Sequence, residues 1–237
     1  MRKVTYIGHS GFAVELDHCV LLFDYYEGAM PAFPTEKALY VFASHNHADH
    51  FQFAIFQLAQ ERANVTYLLS DDIRRARNAR NFAKHGVPEE CYRNIRFLRP
   101  HEQVTVENVT VETLDSTDEG VAFLVTADET SVFHAGDLND WVWEGEPEED
   151  NEAITAKWRT EIARIEGRHF DLAFVVLDPR QEADFWRGID WFMRHTQTDR
   201  VYPMHFWKDW SVFSRLRELP CSEPYRDKLV SEYEYQN

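Results

Sequence analysis

At 237 residues the chain is long enough for one large domain or two small ones, and its 17 Phe, 10 Tyr and 7 Trp supply material for a sizeable core. Forty-one acidic residues against 25 basic ones leave a formal charge of −16, a field that repels a phosphate backbone and makes nucleic acid an unfavoured partner. No stretch approaches the roughly 18 consecutive apolar residues of a membrane span, and the first residues run into strand-like sequence without an apolar leader, so the expectation is a soluble, cytoplasmic protein.

The first 140 residues read as short strands parted by turns. Lys3–Ile7 and Phe12–Leu16 flank Gly8 and Gly11, and Cys19–Phe23 runs into Asp24. Ala38–Ala43 is almost continuously apolar, as a strand covered on both faces would be. Helices are predicted over Phe51–Glu61 and, behind the cap-like Ser70-Asp71-Asp72, over Asp71–His85, with the strand Val65–Leu69 between them. Gln103–Val106 and Val109–Leu114 form a hairpin around Glu107-Asn108, followed by strands Val121–Thr126 and Ser131–His134. The run Glu144–Asp150 reads as a solvated acidic loop. Beyond it the spacing predicts a helix over Asn151–Gly167, a buried strand Leu172–Leu177, a helix over Glu182–His195 and a strand Val201–Met204. No repeat or linker interrupts the chain, so residues 1–237 are expected to form one domain. Cys19, Cys91 and Cys221 are odd in number and widely spaced, with neither a disulfide framework nor a CxxC motif.

The chemistry concentrates in His45-Asn46-His47-Ala48-Asp49-His50, three imidazoles and a carboxylate within six residues at the end of the Ala38–Ala43 strand. Zinc and similar borderline metals favour imidazole nitrogen and carboxylate oxygen, and a tight turn lets His45 and His47 face one position while Asp49 and His50 face another. The segment therefore reads as a site for one or two divalent metal ions. HxHxDH after an apolar strand resembles the metallo-β-lactamase superfamily. Asp24 closing a strand, Gly136-Asp137 after His134-Ala135, and Pro203-Met204-His205 at a late strand end match its further landmarks in order. Gly8-His9-Ser10-Gly11-Phe12 is in addition similar to the branch that contains the ascorbate-6-phosphate lactonase-like proteins.

The resemblance implies an α/β fold, a four-layer αββα sandwich with metals at one edge between two sheets. It also implies His45 and His47 as ligands of a first metal, Asp49, His50 and His205 as ligands of a second, and Asp137 as the bridge. The chain departs from the superfamily pattern at Ser116, where a further histidine is expected. Asp118, the preferred candidate, or Asp115 would supply an oxygen instead, which makes the site harder and opens it to manganese or iron beside zinc. Otherwise the first position is weak and one metal binds.

Asp49 is the candidate for orienting a nucleophile. His9 is placed either to hydrogen-bond substrate or a ligand carboxylate, or to be a satisfied buried histidine, and His134 reads chiefly as a packed strand-end residue. Trp141, Trp143, Trp207 and Trp210 are candidates for an aromatic substrate wall or for packing. Arg180 is read as an ion pair or as an anchor for an anionic group, and the remaining five histidines, His18, His85, His101, His169 and His195, are expected to carry no chemistry. The reading is a metal-dependent hydrolase acting on a small-molecule ester, lactone or phosphoester. Its rivals are a nuclease or phosphodiesterase, which calls for a basic groove, and a non-catalytic metal-binding or partner-binding protein, which Ser116 favours.

Overall fold

The computed structural model of the protein describes residues 2–233; Met1 and residues 234–237, which the one-domain expectation includes, lie outside the described residues. Two six-stranded sheets carry the fold. The first runs, in spatial and chain order, β1 (Lys3–Gly8), β2 (Gly11–Glu15), β3 (Cys19–Phe23), β4 (Ala38–Ala43), β5 (Val65–Ser70) and β6 (Arg96–Leu98). The second holds β7 (Gln103–Val106), β8 (Val109–Asp115), β9 (Val121–Ala127), β10 (Thr130–His134), β11 (His169–Val176) and β12 (Gln197–Met204), also in chain order. Each sheet starts as antiparallel hairpins and ends as parallel strands: β3 to β6 are parallel in the first, β10 to β12 in the second.

Side-chain alternation explains the layering. In β3 and β4, Leu21, Phe23, Tyr40 and Phe42 point into one core with residues of the second sheet, whereas Val20, Leu22, Leu39 and Val41 point into another. A strand with period-two side chains and both faces covered must be apolar throughout, which is why these two strands carry no polar alternation. The outer core of the first sheet is closed by a 3-10 turn at Phe53–Gln57 and by α1 (Leu58–Glu61), α2 (Asp71–Ala76), α3 (Ala79–Lys84) and α4 (Glu89–Asn94). On the second sheet lie α5 (Glu148–Ala163), α6 (Arg187–His195) and α7 (Ser211–Glu218), through Trp158 and Ile162, Ile189 and Phe192, and Val212 and Leu216. The result is the αββα sandwich.

Four helix expectations need correction. Only Phe53–Glu61 of the first is helical, and its opening is 3-10. The helix expected over Asp71–His85 is two, because the Asn78 side chain accepts the Asn81 N–H at 3.1 Å and caps a new start after extended Arg77. The third begins earlier than expected: Glu148, Glu149 and Asp150 form the first turn of α5, where the helix dipole favours negative charge, so the last three of the seven residues in the acidic run are helix. It ends at Ala163 rather than Gly167. The fourth cannot begin at Glu182, whose φ of 51° interrupts a 3-10 turn, and α6 starts at Arg187. Strand β6 and helices α4 and α7 had no counterpart in the sequence reading. Among the described residues no helix is long and apolar enough to cross a membrane.

Candidate metal centre

The C-terminal ends of parallel strands and the loops beside them converge on one edge of the sandwich, the place where α/β sheets present ligands. Strand β1 ends beside His9, β3 at Asp24, β4 at Ser44 and His45, β10 before Asp137, β11 before Asp178 and β12 before His205. The backbone pays attention to this edge: His9, Asp24 and His205 all hold positive φ (50°, 42° and 64°), a conformation His and Asp visit more readily than branched residues. Gly120 (φ 74°) is also required, since a Cβ there would lie 2.0 Å from the Ser44 carbonyl oxygen.

Two sets of side chains meet there. His45, His47, Asp118 and Asp137 form one, and His9, Asp49, His50 and His205 the other, each with candidate ligand atoms within 4.8 Å of one another. In the first, His45 Nε2 lies 3.0 Å from His47 Nδ1 and 3.5 Å from Asp137 Oδ2, and His47 Nδ1 lies 3.6 Å from Asp118 Oδ2. In the second, His9 Nε2 is 3.3 Å from Asp49 Oδ2. Asp137 Oδ1 joins the sets, 3.2 Å from His50 Nε2 and 3.4 Å from His205 Nε2. Two ligand atoms on a tetrahedral zinc, each about 2.0–2.1 Å from it, stand about 3.3 Å apart, so these separations suit a shared cation.

The hydrogen bonds fix which imidazole nitrogens face inward. Buried Asp24 accepts from Ser44 N (2.7 Å), Ser44 Oγ (2.6 Å) and His50 Nδ1 (2.8 Å). Because the Ser44 hydroxyl proton goes to a carboxylate that only accepts, its oxygen receives His45 Nδ1–H at 2.9 Å. Asp178 likewise accepts His205 Nδ1–H at 2.9 Å. Nε2 of His45, His50 and His205 therefore presents its face to the site, the outer-sphere pattern that orients metal-bound imidazoles. His9 Nε2, His50 Nε2 and Asp137 Oδ1 are buried and make no well-aligned hydrogen bond among the described residues, their approaches to Asp49 and to each other (3.3 and 3.2 Å) being ion-pair contacts. Buried polar atoms are rarely left so, and a cation satisfies all three.

Charge balance reinforces this. Burial, aided by neighbouring His50, lowers His45 to about 3. For His50 burial also favours the neutral ring, but Asp137 and Asp24 outweigh it and hold the imidazole well above its ordinary value. Burial would raise Asp137 and Asp49; His50 and His205 hold the first far below the usual carboxylate range, and the His9 contact and His50 depress the second. Asp118 is raised by burial and by Asp137.

The departure at position 116 now has a geometry. Ser116 is buried and its Oγ accepts the Asp118 N–H at 3.1 Å, so the serine shapes the loop that carries Asp118 to His47. Asp115 points elsewhere, 3.0 Å from Lys157 Nζ, and does not join the site. Both nitrogens of His134 are taken, Nε2 donating to Ser10 O and Nδ1 accepting from Gly136 N, and its ring stacks on Phe23. Of the four tryptophans, Trp141, Trp143 and Trp207 line a cavity of about 370 Å³ above the two sets, with Ile154, Thr117 and Arg180. Trp210 packs instead against Tyr6, Phe206 and Phe213 and is absent from that wall. Arg180 pairs with Asp178 through Nε at 2.9 Å. Sequence reasoning missed the orienting roles of Ser44 and Asp178; a carboxylate closing an apolar strand was the available signal for Asp178, as it was for Asp24. A third set, His169, Asp171 and Asp199, lies at a more exposed edge, where Arg2 pairs with Asp171 at 2.6 Å.

Comparison with known proteins agrees with this architecture. A UPF0173 metal-dependent hydrolase of Cereibacter sphaeroides is 38% identical over 55 residues, and one of Paracoccus denitrificans 34% over 55. Each alignment covers 20% of this chain and 24% of the relative, so the match spans about a quarter of those proteins. Among solved structures, a metallo hydrolase of Ignicoccus hospitalis superimposes with a TM-score of 0.62 at 14% identity, over 99% of this chain and 96% of that one. A diiron β-hydroxylase of Streptomyces venezuelae superimposes with a TM-score of 0.56 at 15% identity, over 86% and 44%. At such identities these structures speak for the fold alone. The family model described as the β-lactamase superfamily domain matches residues 3–151, well over half of the chain, which therefore belongs to that superfamily.

Proposed function

We propose that the protein is a metal-dependent hydrolase of a small-molecule ester, lactone or phosphoester, built as one domain. The observation that carries this reading is the pair of ligand sets joined by Asp137, with buried His9 Nε2, His50 Nε2 and Asp137 Oδ1 lacking aligned hydrogen bonds among the described residues, and His47, Asp49, Asp118, Asp137 and His205 opening on a cavity sized for a small molecule. His45, His47 and Asp118 would hold one cation, Asp49, His50 and His205 the other, and Asp137 both, with His9 beside the second set. Zinc suits the imidazoles, while the carboxylates of Asp118 and Asp137 give manganese and iron a hold on the first position. Bound divalent cations supply Lewis acidity and a water acidified to about neutral pKa.

The chain's own residues do the rest. Asp24 and Asp178 hold His50 and His205 by Nδ1 and keep Nε2 directed inward. Asp49 Oδ2, anionic across the neutral range, lines the cavity as a proton acceptor and stands against His9 Nε2. Trp141, Trp143 and Trp207 wall the cavity, exclude water from one side of the scissile group and present flat apolar surface to the substrate body. A nuclease is disfavoured by the charge of −16 and by a cavity in which Arg180 is the one Lys or Arg among the described lining residues. The test is turnover of a panel of esters, lactones and phosphodiesters by wild type and Asp49→Ala, with metal content measured in parallel. Activity in wild type that falls at least about a hundredfold in the variant is expected. Equal rates in the two proteins would remove the catalytic reading.

A further inference from the structure

We propose that Arg180 makes this site selective for substrates bearing an oxyanion, a carboxylate or phosphate group, attached to a flat apolar body. The inference deepens the proposed hydrolytic reading and rests on it for the identity of the ligand as a substrate. Among the described residues lining the cavity, Arg180 is the one Lys or Arg. Its guanidinium stands 4.7 Å from the Trp207 ring centre and 5.7 Å from that of Trp143, so two indoles flank it. Asp178 engages only one edge, Nε and Nη2. Nη1 donates to no group among the described residues, and the side chain is half exposed into the cavity. A planar fork with one edge pinned and the other facing a ligand space is the arrangement that receives an oxyanion through parallel N–H donors.

The pinning matters as much as the free edge. Asp178 accepts simultaneously from Arg180, from His205 Nδ1 and, at 3.3 Å, from Trp207 Nε1. The guanidinium is thereby fixed at a set offset from His205, and an anion held on Nη1 places the attached body over the ligand sets. The formal charge of −16 repels anions over the molecule at large, and Arg180, the one Lys or Arg among the described lining residues, gives the cavity a direction: oxyanion toward Arg180, apolar body along the indoles.

The test reads binding rather than turnover. Tryptophan fluorescence of the metal-loaded protein is titrated with 3-phenylpropionate, 2-phenylethylphosphonate and neutral 3-phenylpropionamide. Wild type, Arg180→Gln and Arg180→Lys are compared, with metal content measured on each sample. Wild type is expected to bind one or both anions about tenfold tighter than the amide. That preference should vanish in Arg180→Gln and survive in part in Arg180→Lys, with the amide losing less affinity than the anions; the tighter anion names the oxyanion. An anion preference that persists in Arg180→Gln would show the anion sitting on the metals instead and overturn the proposal. Absence of any preference in wild type would overturn it as well. Because no hydrolysis is read, loss of the catalytic reading would appear separately, in the metal content and the turnover panel.

Discussion

Replacing Asp24 by Asn removes one charge from a residue that never faces substrate, and the structure sets the size of the effect. The carboxylate is fully buried and accepts three hydrogen bonds, from Ser44 N, Ser44 Oγ and His50 Nδ1. Asn keeps one accepting oxygen, enough for the backbone donor, but turns an NH2 toward one of the other two donors. Its backbone is not the difficulty, since Asn tolerates the φ of 42° held here. Two charge-assisted bonds at about 1.5–3 kcal/mol each, partly offset by the removed desolvation of the carboxylate, give an expected loss of about 3 kcal/mol. His50 also loses the partner that fixes its tautomer, so metal affinity should fall by about 10- to 100-fold. Urea unfolding of metal-stripped protein measures the first quantity and chelator competition the second. Unfolding free energy within about 0.5 kcal/mol of wild type, the range of an inconsequential surface change, together with unaltered metal affinity, would refute the relay from Asp24 to the metal centre.

Further predictions concern protons, backbone and thiols. His50 is held well above its ordinary value by Asp137 and Asp24 against its burial, so at neutral pH a metal must displace its proton. Apparent metal affinity should then weaken by about tenfold for each unit of pH lost across the neutral range, and a flat profile in chelator competition at pH 6, 7 and 8 would contradict this. Gly120→Ala puts a Cβ 2.0 Å from the Ser44 carbonyl oxygen at a φ of 74°. It should destabilise the protein by about 3 kcal/mol or more and displace the His45 strand end, seen as lower urea midpoint and lost metal. Burial, and secondarily Asp128, pushes the Cys19 thiol up to about 12. Native protein should therefore leave Cys19 unmodified by a thiol reagent that labels it fully after denaturation, as peptide mass mapping would show.

Much of this was legible because particular residues leave one option. Leu39, Tyr40, Val41, Phe42 and Ala43 permit a strand covered on both faces and little else, and the histidines follow directly from its end. Asp118 was readable as the substitute ligand only beside a family pattern; its actual support, the Ser116 Oγ cap, is a loop geometry that spacing does not encode. Helix limits were hidden where local capping overrides apolar period, as Asn78 does between α2 and α3. Trp207 and Trp210 are three residues apart yet diverge, one into the cavity wall and one into the Phe206 and Phe213 packing, because Trp207 has a φ of 50° that turns the chain. The partnership of Asp178 with His205, Trp207 and Arg180 spans 29 positions and depends on the register of β11 against β12, which pairs Val176 with Met204.

The most direct measurement is the metal stoichiometry of untagged protein, by elemental analysis, for wild type, Asp118→Ala, His205→Ala and Asp115→Ala. About two equivalents are expected in wild type and in Asp115→Ala, whose carboxylate pairs with Lys157, and about one in each of the other two variants. Wild-type protein that takes up no divalent metal even after reconstitution, or Asp115→Ala losing metal while Asp118→Ala retains it, would contradict the assignment of the two ligand sets.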